Sequence, residues 1–163
     1  MPRHGQLRAA RVVPFNRENG DVQMSAVSDL VYNKVRDMLL EQGLQVTLIS
    51  DGFQVPYDST AVNISIVAQD DRVLVQMYVP LLHQVPESPQ LFEYVATEGQ
   101  NYYFGNMHYV RDVDGGLLVF EHTLLGDYLD ADELHTAVAS LALTGNDLDD
   151  ELQKKFGGKR YVD

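Results

Sequence analysis

The sequence predicts an α+β domain: a mostly antiparallel five-stranded sheet with helices on one side, in the order α-β-β-β-α-β-β-α. Three observations carry this. Residues 62–66 and 73–79 alternate apolar and polar with period two around Asp70-Asp71. A second pair of strand-like runs flanks Asp114-Gly115-Gly116. Apolar stripes at spacings of three and four open and close the chain.

The elements follow in order. Met24, Val27, Val31, Val35 and Met38, widened by Leu39, mark an amphipathic helix; Ser25 or Ser28 is suited to cap it, and Gly43 to end it. Leu44 to Ile49 reads as a strand, and Asp51-Gly52 and Pro56-Tyr57-Asp58 as turns. Val62, Ile64 and Ile66 alternate with Asn63 and Ser65, and Val73, Val75, Met77 and Val79 return as the second arm of a hairpin.

Ser88-Pro89 opens a short helix with Leu91, Phe92, Val95 and Ala96 as its apolar face, stopped at Gly99. Tyr103–Arg111 and Leu117–Leu125 form the last hairpin. Asp130 and Glu133 have capping-box spacing before a long stripe from Leu134 to Phe156. Gly145-Asn146 interrupts that stripe and predicts a kink or break; Gly157-Gly158 ends it. Residues 1–22 are expected to be a flexible basic arm, 23–158 a single domain, and 159–163 a tail.

A length of 163 residues with 45% hydrophobic content suits one globular domain that needs no staples. The absence of cysteine removes disulfides, thiolate metal sites and cysteine nucleophiles. No stretch resembles a signal peptide or a membrane span, which points to the cytoplasm.

The net charge of −12 is unevenly placed. Arg3, Arg8, Arg11 and Arg17 against Glu18 give the first twenty residues +3, which leaves −15 on the rest. Eight acids and no Lys or Arg lie between Asp127 and Glu151, before Lys154, Lys155, Lys159 and Arg160. An acidic body excludes a nucleic-acid surface for the domain as a whole. The arm also carries Val12, Val13 and Phe15, so docking on an acidic body is an alternative to a plain tail.

No catalytic set emerges. His108 and His122 lie on the two strands of the last hairpin and could approach each other, but two histidines without a third ligand do not make a metal centre. The acidic pairs fall at turns and helix ends. Asp147 to Glu151 lacks calcium-loop spacing, and no phosphate loop or nucleophile elbow is present. The reading is therefore no enzyme, no metal and no cofactor. Tyr102, Tyr103 and Tyr109 cluster near one strand and suit a contact surface. A sheet with open edges can accept an extended segment as an added strand.

Several stretches carry a resemblance: Tyr103-Phe104-Gly105, Gly115-Gly116, Leu117-Leu118-Val119-Phe120, Leu124-Leu125-Gly126-Asp127-Tyr128-Leu129, Asp132-Glu133-Leu134 and Phe156-Gly157-Gly158. Together with the element order, they resemble the YbjN family, which is similar in fold to type III secretion chaperones. The resemblance spans roughly Met24 to Gly158. It implies a bacterial cytosolic homodimer that binds an extended segment of a protein or peptide client. The family has also been labelled a sensory transduction regulator. In the chaperones it resembles, the middle helix forms the dimer contact, which here would be Leu91, Phe92 and Val95. With Tyr102 and Tyr103, these form the candidate dimer or client contact. The alternative function is a small-ligand sensor with a pocket between sheet and helices.

Overall fold

The computed structural model describes residues 26–113 and 115–161. Helix α1 (Ala26–Glu41) leads into β1 (Thr47–Ile49), β2 (Gly52–Tyr57), β3 (Thr60–Gln69) and β4 (Arg72–Val85). Helix α2 (Pro89–Thr97) and a 3-10 turn (Glu98–Gln100) follow. Strands β5 (Asn106–Val110) and β6 (Gly116–Leu125), helix α3 (Ala131–Phe156) and the short β7 (Lys159–Arg160) complete the fold. The sheet is antiparallel, in the order β1-β2-β3-β4-β6-β5, with β7 also paired to β4.

The α+β class and the antiparallel pairing agree with the sequence reading, but the sheet has seven strands among the described residues. One added strand is β2, which runs between the two stretches read as turns and takes in Gly52, Pro56 and Tyr57 from them. Its Pro56 pairs with Ala61 beyond the last β1–β2 pair at Thr47–Gln54, where a missing N–H costs no ladder bond. The other is β7, where Arg160 and Lys159 pair with Leu82 and His83.

Strand β4 is the hub. It pairs along β3 from Gln69–Arg72 to Asn63–Tyr78, and along β6 from Leu74–Leu125 to Val85–Gly116. Register shifts interrupt the β6 pairing between Pro80 and Leu82 and between Leu82 and Val85, and Gln84 there has φ 55°. The turn before β4 places Asp70 at φ 53°, a conformation aspartate tolerates in tight turns.

One sheet face carries Phe53, Val62, Ile64, Val75, Met77, Val79, Leu118 and Phe120, all buried. The helices supply the other half of this core: Val31, Val35 and Leu39 from α1, Leu91 from α2, and Leu134, Val138, Leu141 and Leu152 from α3. Full burial of each large aliphatic side chain is worth about 1.5–3 kcal/mol, and this layer holds the fold together. The α1 stripe is shifted from the sequence reading. Val27 is exposed and Ser28 is buried within the helix, while Met24 and Ser25 lie outside the described residues.

Helix α3 runs unbroken through Gly145-Asn146. The glycine there serves close approach rather than a break: a Cβ on Gly145 would lie 2.5 Å from Val79 Cγ1. Asp130 caps the helix as expected, accepting from the Glu133 N–H at 2.8 Å, and Gly157 ends it at φ 74°. No helix among the described residues is long and apolar enough to cross a membrane.

Candidate functional site

Among the described residues, β1 pairs only with β2 and β5 only with β6, so each presents an open edge. The two edges are dressed differently.

Beside β5 lies α2. Ser88 caps this helix by accepting from the Leu91 N–H at 3.1 Å, and Pro89 follows in its first turn. Leu91 is fully buried and anchors the helix in the core. Phe92 remains 39% exposed and meets the Tyr109 ring edge-on, with centroids 5.4 Å apart. Together with Val95, Ala96 and Met107, these two rings line an open groove of about 370 Å³ between helix and strand.

Tyr109 is held from behind. Its hydroxyl donates to the Val85 carbonyl at 2.9 Å, and its ring lies over Gly116, where a Cβ would fall 1.9 Å from the ring. Burial raises the Tyr109 pKa above its ordinary value, and Glu87 adds to the rise. Glu87 also pairs with Arg111 at 2.7 Å on the exposed rim.

Of the five contact residues expected from the sequence, Phe92 and Val95 thus reach the groove, while Leu91 is wholly internal. Tyr102 is half-buried and packs edge-on against Phe120 at 4.9 Å; burial, then Glu151 and Glu98, raises its pKa. Tyr103 stands fully in solvent just before β5.

At the other edge, Leu48 of β1 is 65% exposed. The sequence reading did not single it out.

The sheet face away from the helices is largely polar. Gln54 donates to Asn63 at 3.0 Å, Ser65 to Asp51 at 3.0 Å, and His108 meets Glu121 at 3.1 Å. His108 pairs across from Val119, whereas His122 follows the parity of Phe120, so the two histidines point to opposite faces and do not meet. His122 lies edge-on to Phe104 at 5.8 Å. Burial lowers its pKa below the ordinary 6.5, opposed by Glu133. Among the described residues, no group of three or more His, Asp or Glu side chains could hold a metal ion.

Among the described residues, the site thus consists of two open sheet edges with exposed apolar side chains. Residues 26–163 match the model of the T3SS (YopN, CesT) and YbjN peptide-binding chaperone 1 family, TY-Chap1. The chain belongs to this family. It is a family of chaperones, not of enzymes.

Solved structures share the fold at low identity. In the ExsC–ExsE complex, the match is 17% identical with a TM-score of 0.54, covering 78% of this chain and 96% of that one. The HopA1–SchA chaperone–effector complex matches at 14% identity and TM-score 0.54, covering 78% and 99%. YbjN from E. coli matches at 11% and 0.51, covering 73% and 91%. No curated protein matches the chain.

Proposed function

We propose that this TY-Chap1 protein is a cytoplasmic, non-enzymatic chaperone. It pairs with a second copy through α2 and β5, and it holds an extended segment of a client protein along β1. The observation that carries this reading is the pair of open edges, each with an exposed apolar side chain: Phe92 beside β5, and Leu48 on β1. An edge strand offers backbone hydrogen bonds to an extended segment, and neighbouring apolar residues offer pockets for its alternate side chains. Phe92 and Val95 make the dimer contact, with Tyr103 at its rim; Leu91 and Tyr102 hold that surface in place. The family description and the solved complexes of ExsC with ExsE and of SchA with HopA1 support a client-binding role.

The test uses light scattering and amide exchange. The purified chain is expected to be a dimer and Phe92→Asp a monomer. A client co-purified from the source cell in stoichiometric amount should slow exchange of the Thr47–Ile49 amides, and Leu48→Asp should lose the client but keep the dimer. A monomer at all concentrations, with no slowed exchange at β1 in the complex, would overturn the proposal.

A further inference from the structure

A third surface lies at neither edge. The Gly126 N–H donates to the Val73 carbonyl at 2.8 Å, which sets the β6–α3 loop beside the β3–β4 hairpin. A Cβ on Gly126 would fall 2.7 Å from Val31 Cγ1, so the first half of α1 packs onto the same spot. Three apolar residues near this junction remain open to solvent. Val27 and Leu30 are 53% and 70% exposed on α1, and Tyr128, two residues after Gly126, is 77% exposed. Val27 lies one helical turn, about 6 Å, from Val31.

The elements that meet here carry acidic residues. Asp70 and Asp71 occupy the hairpin turn, Asp127 the loop, Asp130 and Asp132 the start of α3, and Asp29 the first turn of α1. Arg72 is the cation of the hairpin, 3.9 Å from Asp71.

Residues 1–25 lie outside the described residues and join the chain at the head of α1, beside this patch. They hold Arg8, Arg11 and Arg17 interleaved with Val12, Val13 and Phe15. Twenty-five residues extend up to about 80 Å, so the span from Ala26 across the junction is well within reach. Basic and apolar side chains on the segment match acidic and apolar side chains on the surface. An attachment point at the patch also gives the segment a high effective concentration there.

We propose that residues 8–17 dock in cis on the apolar surface carried by Val27, Leu30 and Tyr128 beside these aspartates. Phe15 and the two valines cover the apolar centre, and the arginines face the aspartates. This contact is independent of the client and dimer surfaces at the two edges.

The absence of cysteine makes the test direct. Val13→Cys in the full chain carries a nitroxide label, and amide signals are compared with the label oxidised and reduced. Broadening is expected at Val27, Asp71 and Tyr128, absent at Val95 and Met107, and weaker at high salt, because exposed charge pairs are screened. In Asp71→Lys/Asp127→Lys, whose positions are exposed, the same broadening should fall and trypsin cleavage at Arg8, Arg11 and Arg17 should rise several-fold. Broadening at the α2–β5 groove or at β1, broadening seen only between copies in mixed samples, or none at all would each overturn the assignment.

Discussion

Ser59 Oγ lies 2.8 Å from the Asp149 carboxylate, tying the residue before β3 to a point 90 positions further on in α3. The same hydroxyl lies 2.9 Å from the Asn146 side-chain amide. Asp149 is 4% exposed, and its other oxygen accepts from the Asp150 N–H at 2.6 Å. A buried carboxylate of this kind depends on every donor it has. Ser59→Ala is expected to lower stability by about 1.5–3 kcal/mol, the worth of a hydrogen bond to a charged group. Urea unfolding checks it; an unchanged midpoint would remove the hydroxyl from the account.

Gly145→Ala sets two effects against each other. Alanine favours a helix over glycine by about 1 kcal/mol. The new methyl would meet Val79 Cγ1 at 2.5 Å, and overpacking costs about 1–3 kcal/mol. The contact is expected to win, so the variant should unfold at lower urea. In a Val79→Ala background the same substitution should become stabilising, and a double-mutant cycle measures the change of sign.

The cap of α3 is a separate contribution. Asp130→Ala should cost about 1 kcal/mol and Asp130→Asn much less, because asparagine keeps the acceptor for the Glu133 N–H. Thermal unfolding of the two variants side by side tests the difference.

His122 predicts a pH dependence. Its folded pKa lies below the ordinary 6.5, chiefly through burial, with Glu133 opposing. Below 6.5 the unfolded chain therefore binds more protons at this site than the folded one. The stability contributed by neutral His122 is complete above 6.5 and is lost as pH falls from there through the folded value. Between about pH 7 and pH 5 the wild type should lose more stability than His122→Asn. Parallel slopes for the two proteins would show that other groups set the acid limb.

Much of this fold was legible in the sequence because its signals are local. The alternation in β3 and β4, the Ser88-Pro89 opening and the Asp130–Glu133 spacing each report on a few neighbouring residues. The features that escaped depend on distant chain. Pro56 reads as a turn residue until Ala61 of β3 is seen opposite it with no strand beyond. Gly145 reads as a helix breaker until Val79 is placed against it. Lys159 and Arg160 read as a charged tail until β4 supplies a partner. At the candidate contact surface, the sequence pointed to the α2 face as an expectation but could not separate Leu91, turned into the core, from Phe92, turned outward. Leu48, exposed on β1, carries no periodic signal of its own.

The central position of β4 has a consequence for how the protein is made. Its neighbours come from residues 60–69, 116–125 and 159–160. During synthesis, β3 and β4 emerge as a hairpin whose far edge stays unpaired until forty more residues have left the ribosome. Its apolar face waits longer still for α3. An unpaired strand with an uncovered face is a template for aggregation. The nascent chain thus passes through a stage in which an extended apolar hairpin stands uncovered.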